Sequence, residues 1–281
     1  MHCSKTILAA AISAIAITHV ASAADMPVKA PPVPVPPAIS WTGFYVGANV
    51  GGGWGNHDVS YGLNDPLMTA IIPAGIPPSS FNTSGAIGGL QLGYNWQFNR
   101  NWLLGFETDF NWSNIKGSGS SPAVLTVGTA LPFTANAEEK IKWFGTVRAR
   151  LGYLPTDNLL VYATGGFAYG RVEHSSNLFN NSALAFGTAV PPFGVTCFAG
   201  TACWAGSSND NATGWTVGGG IEYAIWQRWT VKAEYLYVSL SQSPVIASAV
   251  VVGGGLLPSS ITANFDRTNF NVARVGVNYR F

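Results

Sequence analysis

Residues 104–112 read Leu104-Gly105-Phe106-Glu107-Thr108-Asp109-Phe110-Asn111-Trp112, and their alternation decides the fold. Leu104, Phe106, Thr108, Phe110 and Trp112 share one face of an extended chain; Gly105, Glu107, Asp109 and Asn111 share the other. A strand of a soluble sandwich hides its apolar face. A strand of a small membrane barrel turns that face to lipid and fills the lumen with the polar one. Composition chooses the second. Charged residues are only 10% of the 281, against roughly 25% in ordinary soluble domains, while aromatics reach 12% and there are 33 Gly. The balance of 14 Lys+Arg against 13 Asp+Glu leaves no basic footprint for nucleic acid. High hydrophobicity with low charge also excludes intrinsic disorder.

Outward from this strand, the same alternation recurs in eight segments, roughly 42–56, 83–98, 101–114, 140–154, 158–173, 213–226, 229–242 and 268–281. Three connections are tight: Phe98-Asn99-Arg100-Asn101, Pro155-Thr156-Asp157 and Gln227-Arg228. Four are long: 57–82, 115–139, 174–212 and 243–267. Long and short connections alternate strictly. The reading is an all-β, eight-stranded antiparallel up-and-down transmembrane barrel over 41–281, with four long outer loops and three short periplasmic turns. The strands exceed the roughly 9–11 residues that cross a tilted bilayer, so the hairpins should project beyond it. Trp96, Trp102, Tyr153, Trp226, Trp229 and Phe281 flank the short turns, and Trp54, Trp112, Trp143, Tyr169 and Trp215 lie near the long-loop ends, as two interfacial girdles require. No helical periodicity of useful length follows Trp41.

The N-terminal end reads as an export signal. Residues 1–23 carry one charge, Lys5, then an apolar core, then Ala21-Ser22-Ala23, which places cleavage between Ala23 and Ala24. Residues 24–40 form a Pro-rich segment that reads as a periplasmic linker or as disordered padding. Cys197 and Cys203 remain after processing. In an exported chain this pair suggests a disulfide within the third long loop, since a lone C-x5-C with no nearby His makes a poor zinc site.

The inward faces collect nine charges: Glu107, Asp109, Glu222 and Glu234 with Arg148, Arg150, Lys232, Arg274 and Arg280. An eight-stranded lumen is just wide enough for side chains, so these charges should pair into a polar plug. The competing reading is a narrow ion path, a small porin-like channel. A catalytic use of Glu107 and Asp109 fails on access. His174-Ser175-Ser176 could supply a His-activated nucleophile for lipid chemistry, but no orienting acid is evident. Hemin binding could use only His57 and His174.

Three stretches carry a family resemblance: WTGFYVGANVGGGWG at 41–55, GTVRARLGY at 145–153 running into NLLVYATGGFAYG at 158–170, and NVARVGVNYRF at 271–281. Together they resemble the outer-membrane immunogenic proteins of α-proteobacteria, a branch of the opacity-like and OmpA-like eight-stranded barrels. The resemblance implies a Gram-negative outer-membrane location, a structural envelope role and antigenic surface loops; some relatives are porin-like or hemin-binding. By the same resemblance Val277, Tyr279 and Phe281, ending in an aromatic carboxylate, form the signal read by the barrel-assembly machinery. The expected partners are outer-membrane lipid, lipopolysaccharide and that machinery, with no cofactor, no enzymatic activity and a monomeric state.

Overall fold

The computed structural model describes residues 40–253 and 255–281. The signal segment, its cleavage position at Ala23 and Ala24, and the Pro-rich segment through residue 39 lie outside the described residues. The strands in chain order are β1 (Gly43–Leu63), β2 (Ser79–Gln97), β3 (Trp102–Val127), β4 (Thr129–Thr156), β5 (Leu159–Asn180), β6 (Phe186–Val190), β7 (Phe193–Cys197), β8 (Ala202–Ala224), β9 (Trp229–Leu240), β10 (Val245–Ala249), β11 (Leu257–Pro258), β12 (Ser260–Phe265) and β13 (Thr268–Arg280). One helix, α1 (Pro66–Ile71), follows β1.

Eight of these strands close a ring in the order β1, β2, β3, β4, β5, β8, β9, β13 and back to β1, every pair antiparallel. Closure runs from Tyr45 opposite Arg280 to Gly55 opposite Phe270, so the ring has no free edge. The short turns are made locally. In the first, Asn99 Oδ1 accepts the backbone N–H groups of Asn101 and Trp102 at 2.9 and 2.8 Å, an Asx-type turn.

The strands run farther than their apolar alternation suggested. The segment expected to be a long loop at 115–139 is instead a continuous ladder from Ile115 opposite Ile141 to Val127 opposite Thr129, turning at Gly128, whose φ of 73° suits glycine. The physical reason is a reversal of polarity along the same strands. Below Trp54, Trp112 and Trp215 the outward side chains are apolar, among them Val50, Leu90, Phe106, Phe167 and Val275. Above them the outward positions are mostly polar, such as Asn56, Asp58 and Ser60 on β1 and Lys116, Ser118 and Ser120 on β3, with Val124 and Ile246 as exceptions, while Val59, Leu125, Leu131 and Phe133 turn inward. The first stretch meets lipid and the second meets water, so the pleat continues while its apolar face swaps sides.

The outer stretch closes a ring of its own. β9 and β13 end at Leu240 and Thr268. Above them β10 pairs with β8, β12 with β1, and β10 with β12. An outer tier of β1, β2, β3, β4, β5, β8, β10 and β12 therefore stands on the membrane tier. The helix, also unforeseen in the sequence, fills this tier. Asp65 caps it by accepting the Met68 N–H at 3.0 Å, and Pro66 begins it. Leu67, Met68, Ile71 and Ile72 then pack among Leu125, Phe133, Leu178, Trp204 and Ile261. On β10, Val245 and Ala247 are buried in the same tier, while Ile246 between them and Val250 and Val251 beyond are exposed.

Candidate functional site

The lumen of the membrane tier is a layered stack, and its charged layer comes from the inward positions of β3, β4, β8, β9 and β13. Arg148 sits at the centre. Its Nη2 lies 2.5 Å from Glu107 Oε1 and 2.9 Å from Asp109 Oδ2, and its Nη1 lies 2.9 Å from Glu234 Oε1. Arg274 reaches Asp109 at 2.8 Å and Glu234 at 2.7 Å through Nε. Lys232 Nζ lies 2.9 Å from Glu107. Arg150 reaches Glu222 at 2.5 Å and stacks 3.6 Å over the Tyr162 ring. Neutral donors complete the carboxylates: Tyr45 O–H to Glu107 at 2.6 Å, Thr146 to Asp109 at 2.8 Å and Asn278 to Glu222 at 2.8 Å. Four acids thus face four bases, and all eight are buried. Glycine makes the room: a Cβ at Gly51 would meet Arg274, and one at Gly93 would meet Tyr45.

Arg280 stands apart from this network. It points inward, but donates to the carbonyls of Ser40 and Gln227, each at 2.8 Å, and lies 4.7 Å over the Trp41 ring. Its partners are backbone groups at the chain's entry and at a turn, which residue pattern alone does not reveal.

Apolar layers bound the charges on both sides. Toward the short turns lie Trp41, Leu103, Leu154, Leu160, Tyr162 and Ala224. Toward the outside lie Ile115, Ile141, Phe144, Leu236, Phe270 and Val272, with the Phe144 and Phe270 rings 5.3 Å apart. Beyond them comes a small polar layer that the sequence did not announce. Glu139 Oε2 lies 3.3 Å from His174 Nε2 and 3.7 Å from His57 Nδ1, Thr268 donates to Glu139 Oε1 at 3.2 Å, and His57 Nε2 meets Thr83 at 3.1 Å. Burial holds the His57 imidazole below its ordinary pKa, with Glu139 opposing that shift. The signal for this layer was its inward parity on β1, β4 and β5, hidden because all three residues fell in presumed loops.

Neither histidine presents a ring nitrogen at the surface, both being buried within the outer tier. His174 and Ser176 face inward and Ser175 outward; the His174 ring is hydrogen-bonded to neither serine, the buried Ser176 Oγ has no hydrogen-bond partner among the described residues, and the His174 Nε2 is engaged by Glu139, an acid that the sequence did not place beside it. Cys197 and Cys203 are joined by a disulfide with Cα atoms 5.2 Å apart, beside the small sheet of β6, β7 and β11. At the other end Val277, Tyr279 and Phe281 face outward, the Tyr279 and Phe281 rings are 5.4 Å apart, and the Phe281 N–H donates to the Phe44 carbonyl at 3.0 Å.

Residues 7–281 match the family described as outer membrane protein beta-barrel domain. The chain belongs to this family. It is 37% identical over 280 residues to the 31 kDa outer-membrane immunogenic protein of Brucella melitensis, covering 99% of this chain and 100% of that one. It is 29% identical over 208 residues to the 22 kDa outer membrane protein of Rhizobium leguminosarum, covering 73% and 66%. Among solved structures it is similar to the outer membrane protein OprG from Pseudomonas aeruginosa, at 11% identity and a TM-score of 0.40, covering 85% of this chain and 96% of that one. This family member is an outer-membrane β-barrel protein of a Gram-negative envelope.

Proposed function

We propose that the protein is a closed structural barrel, neither channel nor enzyme, whose outer tier is the antigenic surface of the cell. One observation carries the reading: the paired charges of the lumen are sealed between two apolar layers. An ion crossing them would shed its water against Phe144 and Phe270 on one side and Leu103 and Leu160 on the other, where a bare charge is costly. The antigenic role follows the names of the relatives. The partners in this reading are outer-leaflet lipid with its lipopolysaccharide, and the barrel-assembly machinery acting on Val277, Tyr279 and Phe281. The barrel works as a monomer and binds no nucleic acid.

Planar-bilayer recording tests the closed lumen. Refolded protein that inserts, judged by heat-modifiable gel mobility, should give no resolved single-channel steps. Steady conductance steps that change with Arg148→Glu would replace this reading with the porin-like one.

A further inference from the structure

Basic residues on the water-facing side of the barrel are few and unevenly placed. Five of the described Lys and Arg residues point into the lumen, and Arg100 and Arg228 lie on short turns. The outer side holds Lys116, Lys140, Lys142, Arg171 and Arg267, and the first four lie on the adjacent strands β3, β4 and β5. They begin where the outer Trp ring ends. Trp112 pairs with Trp143, Trp143 pairs with Arg171, and Lys116 pairs with Lys140. Trp rings settle at the headgroup level, so these cations stand at the height of the outer-leaflet headgroups.

A backbone irregularity adds one of them. Between Ile141 and Trp143 the β4 ladder slips by one residue against β5, and Lys142 is the extra residue. The bulge lets Lys142 and Trp143 both face outward, where strict alternation would have buried one. Lys116 and Lys140 are like charges directly opposite each other, an arrangement that weakens a sheet unless an anion joins it. Two acids answer in part. Glu138 lies 2.9 Å from Lys140, and Glu173 lies 3.1 Å from Lys142. Both stand at or above the level of Lys140, farther from the Trp ring than Lys142 and Arg171. Lys116 makes no ion pair among the described residues, and Arg171 uses Nε on Asn209 at 2.6 Å, leaving its Nη groups to an outside acceptor. The wall is therefore net positive, with unanswered Arg171 beside the Trp ring and unanswered Lys116 at the level of Lys140.

We propose that Lys116, Lys142 and Arg171, supported by Lys140, bind the phosphate groups of the outer-leaflet glycolipid, lipopolysaccharide. The guanidinium of Arg171 offers two parallel donors to phosphate oxygens, and the lysines supply point charges beside it. Asn209, Ser118 and Ser175, exposed or half-buried on the same wall, suit the sugar hydroxyls above the phosphates. The proposal rests on the outer-leaflet lipid being a partner and names the residues that hold it.

The test measures binding of detergent-dispersed lipopolysaccharide to the refolded full barrel by calorimetry, with the same glycolipid dephosphorylated and with inorganic phosphate alone. Each base beside an anionic surface contributes about fivefold to affinity, so a Lys116→Gln, Lys142→Gln, Arg171→Gln variant should bind roughly 100-fold more weakly. The dephosphorylated glycolipid should bind the unaltered protein with a similar loss. An Arg100→Gln, Arg228→Gln variant, with charge removed at the short turns, should bind like the parent. Equal affinity for phosphorylated and dephosphorylated glycolipid overturns the proposal, and this arm needs no variant to fold. So does unchanged affinity in the folded triple variant. Tight binding of inorganic phosphate alone would mark a free-anion site instead. A barrel that stays silent in bilayers but binds no glycolipid would overturn this proposal and leave the closed-barrel reading standing.

Discussion

Arg148 touches three carboxylates, Glu107, Asp109 and Glu234, from a fully buried position, so it is where the lumen is most sensitive to a change of sign. Replacing Arg148 by Glu would leave those three acids facing a fourth. Removing one partner of a buried pair costs about 3–5 kcal/mol, and reversal should cost at least that much. The urea midpoint of the refolded barrel in detergent should fall accordingly; an unchanged midpoint would mean that the lumen is wet enough to screen the charges. The eight members of this network were legible in the sequence because a strand's period of two assigns each side chain to a face. Arg280 shares their parity yet leaves the network, because what captures it are the carbonyls of Ser40 and Gln227 and the face of Trp41. Parity names a face, not a partner.

At the scale of elements, the outer tier was half legible. β3 and β4 continue past the membrane as one hairpin, but their apolar face turns from outside to inside at Trp112 and Trp143, so a search for lipid-type alternation stops there. β10 and β12 are five and six residues long, too short to declare themselves, and they exist because β9 and β13 end early and leave β8 and β1 unpaired above. The tier should respond to acid through His57. Burial lowers its pKa from the ordinary 6.5, and Glu139, His174, Thr83 and the nearby Asp58 are the groups around it. The folded tier prefers the neutral ring while the unfolded chain accepts a proton near 6.5. The stabilisation is therefore complete above that value and is lost as pH falls below it toward the lowered pKa. Protease cleavage of β10 and β12 should be faster at about pH 5.5 than at about pH 7.5, after correction for protease activity. In His57→Gln the difference should shrink. If the variant keeps the full pH response, the sensor lies elsewhere.

At the scale of the whole molecule, closure is the last event that the sequence can foreshadow, since β1 and β13 are the first and last strands of the ring and must find each other across the chain. Until they pair, β13 has a free edge from Thr268 to Arg280, and Phe281 stands at its tip. In the finished barrel Phe281 is 72% exposed on the lipid-facing side, with one backbone bond to Phe44 and a ring contact to Tyr279. Those contacts are peripheral, and a ring so exposed contributes little to a fold that is otherwise sealed by complete ladders. An aromatic terminus that matters more to assembly than to stability should separate the two when it is removed. Deleting Phe281 should lower the urea midpoint in detergent by no more than about 1 kcal/mol of stability, the scale of one net hydrogen bond. In cells the same deletion should cut heat-modifiable protein in the outer membrane severalfold, as the proposed reading of Phe281 by the assembly machinery on the free edge of β13 requires. Normal surface levels of the deletion variant would reduce Phe281 to a girdle residue. A large loss of stability in detergent would show that its packing, not its recognition, governs the cellular defect.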